Sequence, residues 1–278
     1  MNAGKISIIT INYNNKAGLQ RTIESVVGQT VKNFEFIVID GNSNDGSKEV
    51  LEKYADEFTY YCSESDLGIY NAMNKGIRIA TGQYLLFLNS GDSLYDSLVI
   101  ETIENQISED HGIYYGDIIY DEIIQQKRVN FPDELTFNFF YEANLSHQAS
   151  FIKRSLFEDL FYYNEDFKIA SDWEFFIYAI CKANITYKHL NILVTTYDAT
   201  GISSNLENHG IMNQERAVSL SKYFPAFIKD YTHVPELKYK QTKQFFHIKQ
   251  YPIAWKILKA LMKLILLFLP KLPNRPQQ

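Results

Sequence analysis

Residues 83–92 read QYLLFLNSGD. The apolar run at 85–88 stops abruptly in Asn89, Ser90, Gly91 and Asp92. A short unbroken apolar run is the pattern of a strand covered on both faces, as in a parallel sheet. Ligands of open α/β sheets sit beyond the carboxyl ends of such strands. Asp92 is therefore the first candidate metal ligand, for Mn²⁺ or Mg²⁺. Mg²⁺ takes one or two carboxylates and fills its shell with phosphate oxygens, and Ser90 and Gly91 leave room for a diphosphate. All four residues also favour turns, so a plain turn is the competing reading.

Working outward, KISIITIN (5–12), FEFIVID (34–40) and TYYCSE (59–64) read as strands. The segment 15–30 carries Leu19, Ile23 and Val26 at helical spacing, and GSKEVLEKYADEF (46–58) reads as a second helix. GIYNAMNKGIRIATG (68–82) places Ile69, Met73, Ile77 and Ala80 on one stripe, with Gly82 as a stop. Strand and helix alternate, which predicts a mostly parallel sheet with helices on both faces. The residues to inspect lie just after each strand: Thr10, Asn12 and Tyr13; Asp40; Glu64 and Asp66; and 89–92. Farther on, GIYYGDIIYD (112–121) and QKRVNF (126–131) resemble paired strands, SDWEFFIYAICKA (171–183) a helix and ITYKHLNILVTTYD (185–198) a strand. Helical patterns run from about residue 208 onward.

The bulk numbers fit this plan. The chain has 278 residues, 46% hydrophobic, enough for one large α/β domain with appendages. Two cysteines, Cys62 and Cys181, form no disulfide framework and suit a reducing compartment. The first apolar run is too short for a signal peptide. Net charge is −6, unevenly spread. Residues 238–278 carry nine Lys and Arg and no acid, leaving 18 of the 27 basic residues against all 33 acidic ones, a balance of −15. An acidic body argues against nucleic acid as its partner, while the basic tail should meet something anionic.

At the end of the second strand, Asp40 can accept from the imide N–H of uracil, with Asp45 capping the next helix. Tyr13 and the backbone of 10–14 can lie against a base or ribose. Asp66 precedes Gly68. Lys75 faces outward on the next helix, where it reaches a phosphate or is merely solvated. Asn71 and Asn74 sit mid-helix at a cost in propensity, a hint of a ligand.

Taken together, ISIITINYNN, VIDGNSNDGS, SDLGIYNAMNKGI, ATGQYLLFLNSGD, SHQASFIKR and ASDWEF resemble the family-2 glycosyltransferases of the GT-A fold. The resemblance spans about the first 200 residues. It implies a GT-A domain over 1–205 and a helical extension over 206–278. It departs at the family's metal motif, which carries several Asp residues. Here only the last survives, as Asp92, with Asn89 and Gly91 in the other places. The resemblance also implies a catalytic base at Asp172, near the start of a helix, with Glu174 as the fallback. A carboxylate in hydrogen-bond reach of an acceptor hydroxyl can take its proton. Ser171 or Asp172 as a helix cap is the alternative. His147 is a candidate contact for acceptor or diphosphate, or a histidine bonded within the structure. Trp173 is a candidate sugar platform or a core residue. TGISSN (200–205) is a candidate closing loop.

In YPIAWKILKALMKLILLFLP (251–270), Lys256, Lys259 and Lys263 share one face of a helix over 252–269. Three lysines disfavour a spanning helix and suit an amphipathic one at an anionic surface. Docking on protein is the alternative. The expectation is an inverting, metal-dependent hexosyl- or N-acetylhexosaminyl-transferase. It would use a nucleotide-sugar donor, a UDP-sugar, and a glycan or lipid-linked acceptor in cell-surface polysaccharide synthesis. It would be cytoplasmic, peripheral on the inner face of the membrane. A sugar-nucleotide pyrophosphorylase and a non-catalytic scaffold remain open, as does a homo-oligomer.

Overall fold

The computed structural model describes residues 6–108, 111–121, 126–201, 204–231 and 240–270. Its first half follows the apolar runs. β1 (Ile6–Asn12), β2 (Phe34–Asp40), β3 (Tyr60–Ser63) and β4 (Tyr84–Phe87) are parallel, in the order β3-β2-β1-β4. β1 and β4 are buried at every position, as strands with both faces covered must be. α1 (Lys16–Val27) packs Leu19, Ile23 and Val26 into the core. Asn15 caps it by accepting from the Gly18 N–H, a contact worth about 1 kcal/mol. At the start of α2 (Ser47–Lys53) the N-cap is Gly46, not the expected Asp45, whose Oδ1 accepts from the Ser47 N–H and hydroxyl instead. α3 (Ile69–Ile79) buries Met73 and Ile77. Gly76 lets it lie close on β1, since a Cβ there would sit 2.5 Å from Ile9 Cγ2.

The remaining elements extend this sheet. They are β5 (Ser93–Leu94), α4 (Val99–Gln106), β6 (Ile113–Asp121), β7 (Gln126–Val129), α5 (Phe137–Glu142), β8 (Ser150–Lys153), α6 (Leu156–Asp159), α7 (Ser171–Cys181) and β9 (Tyr187–Asp198). β8 inserts antiparallel between β4 and β6, β9 runs parallel to β6, and β5 pairs antiparallel with β9. The order is β3-β2-β1-β4-β8-β6-β9-β5, with β7 paired to β6. The carboxyl ends of β1, β4, β6 and β9 therefore share one rim. α7 is buried along nearly its whole length, the pattern of a helix with protein on every side.

By packing, the chain divides into residues 1–219 and 220–278. The division falls beyond the expected 205 because α8 (His209–Tyr223) bonds α7 through Glu215 and Ser219. In the second unit, α9 (Pro225–Tyr231) precedes α10 (Lys240–Lys249) and α11 (Pro252–Leu266). The Phe245 and Trp255 rings of α10 and α11 meet edge to face, 5.1 Å apart.

Candidate active site

Parallel register brings Asn12, Asp40 and Ser63 side by side at the rim. Asp40 is fully buried. Its Oδ1 accepts from Asn12 Nδ2 at 2.7 Å and Ser43 Oγ at 2.6 Å, and its Oδ2 accepts from the Ser43 N–H at 2.9 Å and Ser63 Oγ at 2.5 Å. Burial pushes this carboxyl up, but the bonds from Ser43, Ser63 and Asn12 outweigh it and hold it below its ordinary value. Four donors leave no open lone pair for a base. The expectation that Asp40 reads uracil is corrected: it braces the rim.

The open groups lie next to it. Tyr13 is 68% exposed. A Cβ on Gly41 would sit 2.6 Å from Asp66 Oδ2 and 3.1 Å from Tyr13 Cδ2, so Gly41 is the gap that lets a carboxylate and an exposed ring converge. Asp66 Oδ1 accepts from the Gly68 N–H. Thr10, by contrast, is fully buried. Lys75 bonds Glu64 Oε1 at 2.7 Å and the Ser65 carbonyl at 3.2 Å, so its charge is paired within the 64–66 loop. Asn71 and Asn74 bond Glu165, and Asn74 also the Tyr163 carbonyl; structure, not a ligand, holds them in α3.

The loop after β4 is clamped from below. Thr22 Oγ1 accepts from the Gly91 N–H and donates to the Asp92 carbonyl. Arg21 donates to the Gly91 carbonyl through Nε and Nη2 and pairs with Asp198 Oδ2 at 2.6 Å. Gly91 has φ +112°, a left-handed conformation that suits glycine. The Asp92 carboxyl, at a residue only 2% exposed, turns inward and accepts the Asp198 N–H at 2.9 Å. Burial raises its pKa to about 6, against the Asp198 N–H, His147 and Gln148, which lower it. The expected carboxylate open at the strand tip is thus corrected to a brace between this loop and β9. Asp198 itself is engaged by Arg21 and Thr200. Among the described residues no three His, Cys, Asp or Glu side chains converge as metal ligands. With Asp92 turned inward and Asp40 saturated, the described side chains by themselves do not assemble a divalent-cation site.

A third cluster forms where α7 begins. Asp172 is 5% exposed. Its Oδ1 accepts from Tyr70 Oη at 3.1 Å; its Oδ2 accepts from Asn144 Nδ2 at 2.9 Å and faces His147 Nδ1 at 3.0 Å. His147 Nε2 lies 3.2 Å from Asn89 Nδ2. With that amide donating, Nε2 accepts, and the ring proton sits on Nδ1 and is donated to Asp172. A chain of hydrogen bonds therefore runs from the loop after β4 to Asp172. Burial pushes the Asp172 carboxyl up, but the hydrogen bonds from His147, Asn144 and the Trp173 N–H outweigh it, so the group is held below its ordinary value and ionised at neutral pH. Burial and the Asp172 charge raise the Tyr70 hydroxyl, which stays protonated. Asn89 Oδ1 and Asn144 Oδ1, flanking this pair, are buried without a hydrogen-bond partner. Orphaned acceptors are rare in cores and mark a site completed by something else.

Neither Ser171 nor Asp172 caps α7; the N-cap is Ala170, with no side-chain cap. Glu215 of α8 instead clamps the segment leading into α7, accepting the N–H groups of Lys168, Ile169 and Ala170 at 2.6, 3.0 and 2.9 Å. Trp173 is corrected from sugar platform to core: it is buried, its Nε1 donates to the Phe140 carbonyl, and the Arg216 guanidinium covers its ring at 5.0 Å. Glu174, the fallback base, is buried against Ser219. Asn89 and Ser90 are half-buried at the rim. The closing-loop expectation at 200–205 includes residues 202 and 203, which lie outside the described residues. Tyr70, Asn144 and Glu215 escaped the sequence reading. Each meets α7 or its approach from far away in the chain, and no local pattern announces that.

The model of the family "Glycosyl transferase family 2" matches residues 7–161, more than half of the chain. A PGL/p-HBAD biosynthesis glycosyltransferase of Mycobacterium bovis is 30% identical over 211 residues, covering 74% of this chain and 81% of its own. Among solved structures, TarS 1-349 from S. aureus superposes with a TM-score of 0.60 at 19% identity, over 88% of this chain and 78% of that one. This chain spans 36% of a longer TarS structure. A mannosyltransferase from Pyrobaculum calidifontis, in complex with GDP-Man and Mn²⁺, gives 0.53 at 14% identity over 91% and 86%. At these identities the structural matches speak for the GT-A fold alone.

Proposed function

The chain belongs to glycosyl transferase family 2, and on that premise we propose that it moves a sugar from a UDP-sugar to a hydroxyl of a glycan or lipid-linked acceptor in cell-surface polysaccharide synthesis, at the inner face of the membrane, inverting the anomeric centre in one displacement. The observation that carries this reading is the Asp172–His147–Asn89 chain. Asp172 is ionised, desolvated and oriented by three donors, as a general base must be. Its Oδ2 is spent on Asn144 and His147. Its Oδ1 accepts from the Tyr70 hydroxyl at 3.1 Å, the longest of these contacts, and is the oxygen assigned to take the acceptor's proton. His147, locked with its proton toward Asp172, fixes that geometry and stabilises the charge. Asn89 ties the base to the rim, where the donor's diphosphate belongs.

Tyr13 offers an exposed ring for the base of the donor. Asp66 Oδ2, over Gly41, takes the role first expected of Asp40 and accepts the imide N–H of uracil. TarS has been crystallised with UDP and with UDP-GlcNAc, which supports a uridine donor on this fold. The mannosyltransferase complex contains Mn²⁺; here the described side chains alone assemble no such site. The sugar is a hexose or an N-acetylhexosamine.

The inward turn of Asp92 favours one rival, a non-catalytic scaffold on the same fold. Asp172→Asn separates the two. A general base contributes roughly 10²–10⁴-fold, so turnover should fall by at least ~100-fold while UDP affinity, read by calorimetry, stays within ~2-fold. Full turnover in the variant removes Asp172 as base; no turnover in the native protein with any uridine donor leaves the scaffold.

A further inference from the structure

Beyond the transfer reaction, we infer that the carboxyl-terminal helix α11 lies on an anionic lipid surface, apolar side down. At about 100° per residue its wheel has three sectors. Trp255 and Leu258 form one, and both are half-buried, with Trp255 against Phe245 of α10. Ile253, Ile257, Leu261 and Leu264 form the second, and each is more than half exposed. Lys256, Lys259 and Lys263 form the third, within roughly 60° of arc. The contact with α10 therefore half-covers Trp255 and Leu258 and leaves the other apolar residues, Met262, Ile265 and Leu266 included, exposed. No residue of this 15-residue helix is buried. Continuous apolar stripes of this kind mark interaction surfaces.

The lysines say which. Lys256 and Lys263 flank the bare stripe and Lys259 Nζ lies over the Trp255 ring at 5.7 Å, so their stems can run along the apolar surface while their charges stay in water. Residues 238–278 add six further cations and no acid. An anionic headgroup layer meets both features, with acyl chains for the stripe and phosphates for the lysines. No described helix is long and apolar enough to cross a membrane. At 1.5 Å per residue α11 is about 22 Å long, short of a hydrocarbon core of about 30 Å. It lies in the surface.

The test needs no substrate and is independent of the transferase reading. The full chain is sedimented with vesicles of phosphatidylcholine alone, or with about one third phosphatidylglycerol, at low and high salt. Binding to the anionic vesicles, weakened by salt, is expected. One lysine near such a surface strengthens binding about 5-fold, so changing all three to Gln should weaken it roughly 100-fold. Ile257→Ser with Leu264→Ser should weaken it on both lipids. Light scattering of the free protein covers the competing occupant. A dimer that these same substitutions dissolve, with no vesicle binding, would overturn the inference in favour of a second copy. Absence of sedimentation with either vesicle, in a folded protein, would overturn it outright.

Discussion

Asp92 shows how much a single carboxyl group decides. At the tip of a buried strand it reads as a metal ligand; in the fold it is an internal brace. The two roles titrate differently. Burial raises its folded pKa from 3.8 to about 6. The folded state therefore holds this proton more tightly than the unfolded chain. The stabilising contribution is complete below pH ~4 and is lost as pH rises through ~6, a difference on the order of 2–3 kcal/mol. Asp92→Asn removes that titration and can still accept the Asp198 N–H. The melting temperature of the variant relative to the native protein is expected to climb between pH ~4 and ~7, with and without Mn²⁺. A pH-independent difference would refute the brace, and so would Mn²⁺ stabilising only the native protein. Opposing carboxylates such as Asp40 and Asp172, held below their ordinary values, cancel in this comparison.

At the level of elements, α7 is a helix without a side-chain cap of its own. Its first turn carries Asp172, so a loose start would let the base wander. Glu215 closes the gap from α8 by taking three backbone N–H groups, and Ser219 bonds both Glu174 Oε1 and the Glu215 carbonyl. Leaving buried donors unsatisfied costs about 1–3 kcal/mol each. Glu215→Ala should therefore lower stability to urea by about 3 kcal/mol or more, and kcat should drop while the donor's KM changes little. Glu215→Gln keeps an acceptor oxygen and should recover part of both. A Glu215→Ala protein as stable and as fast as the native one would show that α7 needs no such clamp. The same helix explains the limits of the sequence. Its existence was legible in Trp173, Phe176, Ile177 and Ile180, all of which are buried. The clamp on its approach was not, because Glu215 lies more than forty residues from the N–H groups it satisfies.

Across the whole molecule, the repeating strand-helix half was readable because each strand is an apolar run and each helix buries a regular stripe. The second half was read only in pieces. β5 and α6 are too short to show a period, and the insertion of β8 between β4 and β6 is a matter of topology that spacing does not encode. The site divides the same way. Asp66 Oδ2 lies over Gly41 beside the exposed Tyr13, and Asp172 and His147 bond each other in the buried cluster at α7, whereas Asp40, Lys75, Asp92 and Trp173 are taken up by other neighbours. Which neighbours take up a side chain's polar atoms is something only the fold shows. Nucleotide linkage reads the open group directly. A ligand at about 100 times its Kd stabilises the folded state by about 2.7 kcal/mol. UDP at that excess should raise the melting temperature by several degrees, GDP and ATP much less. Asp66→Ala should remove most of the preference for uridine, because no carboxylate then meets the imide N–H. Asp40→Asn should lower the melting temperature of the free protein and keep the preference. If Asp40→Asn abolishes the preference and Asp66→Ala leaves it intact, the base is read at the brace after all, and the rim must open on binding.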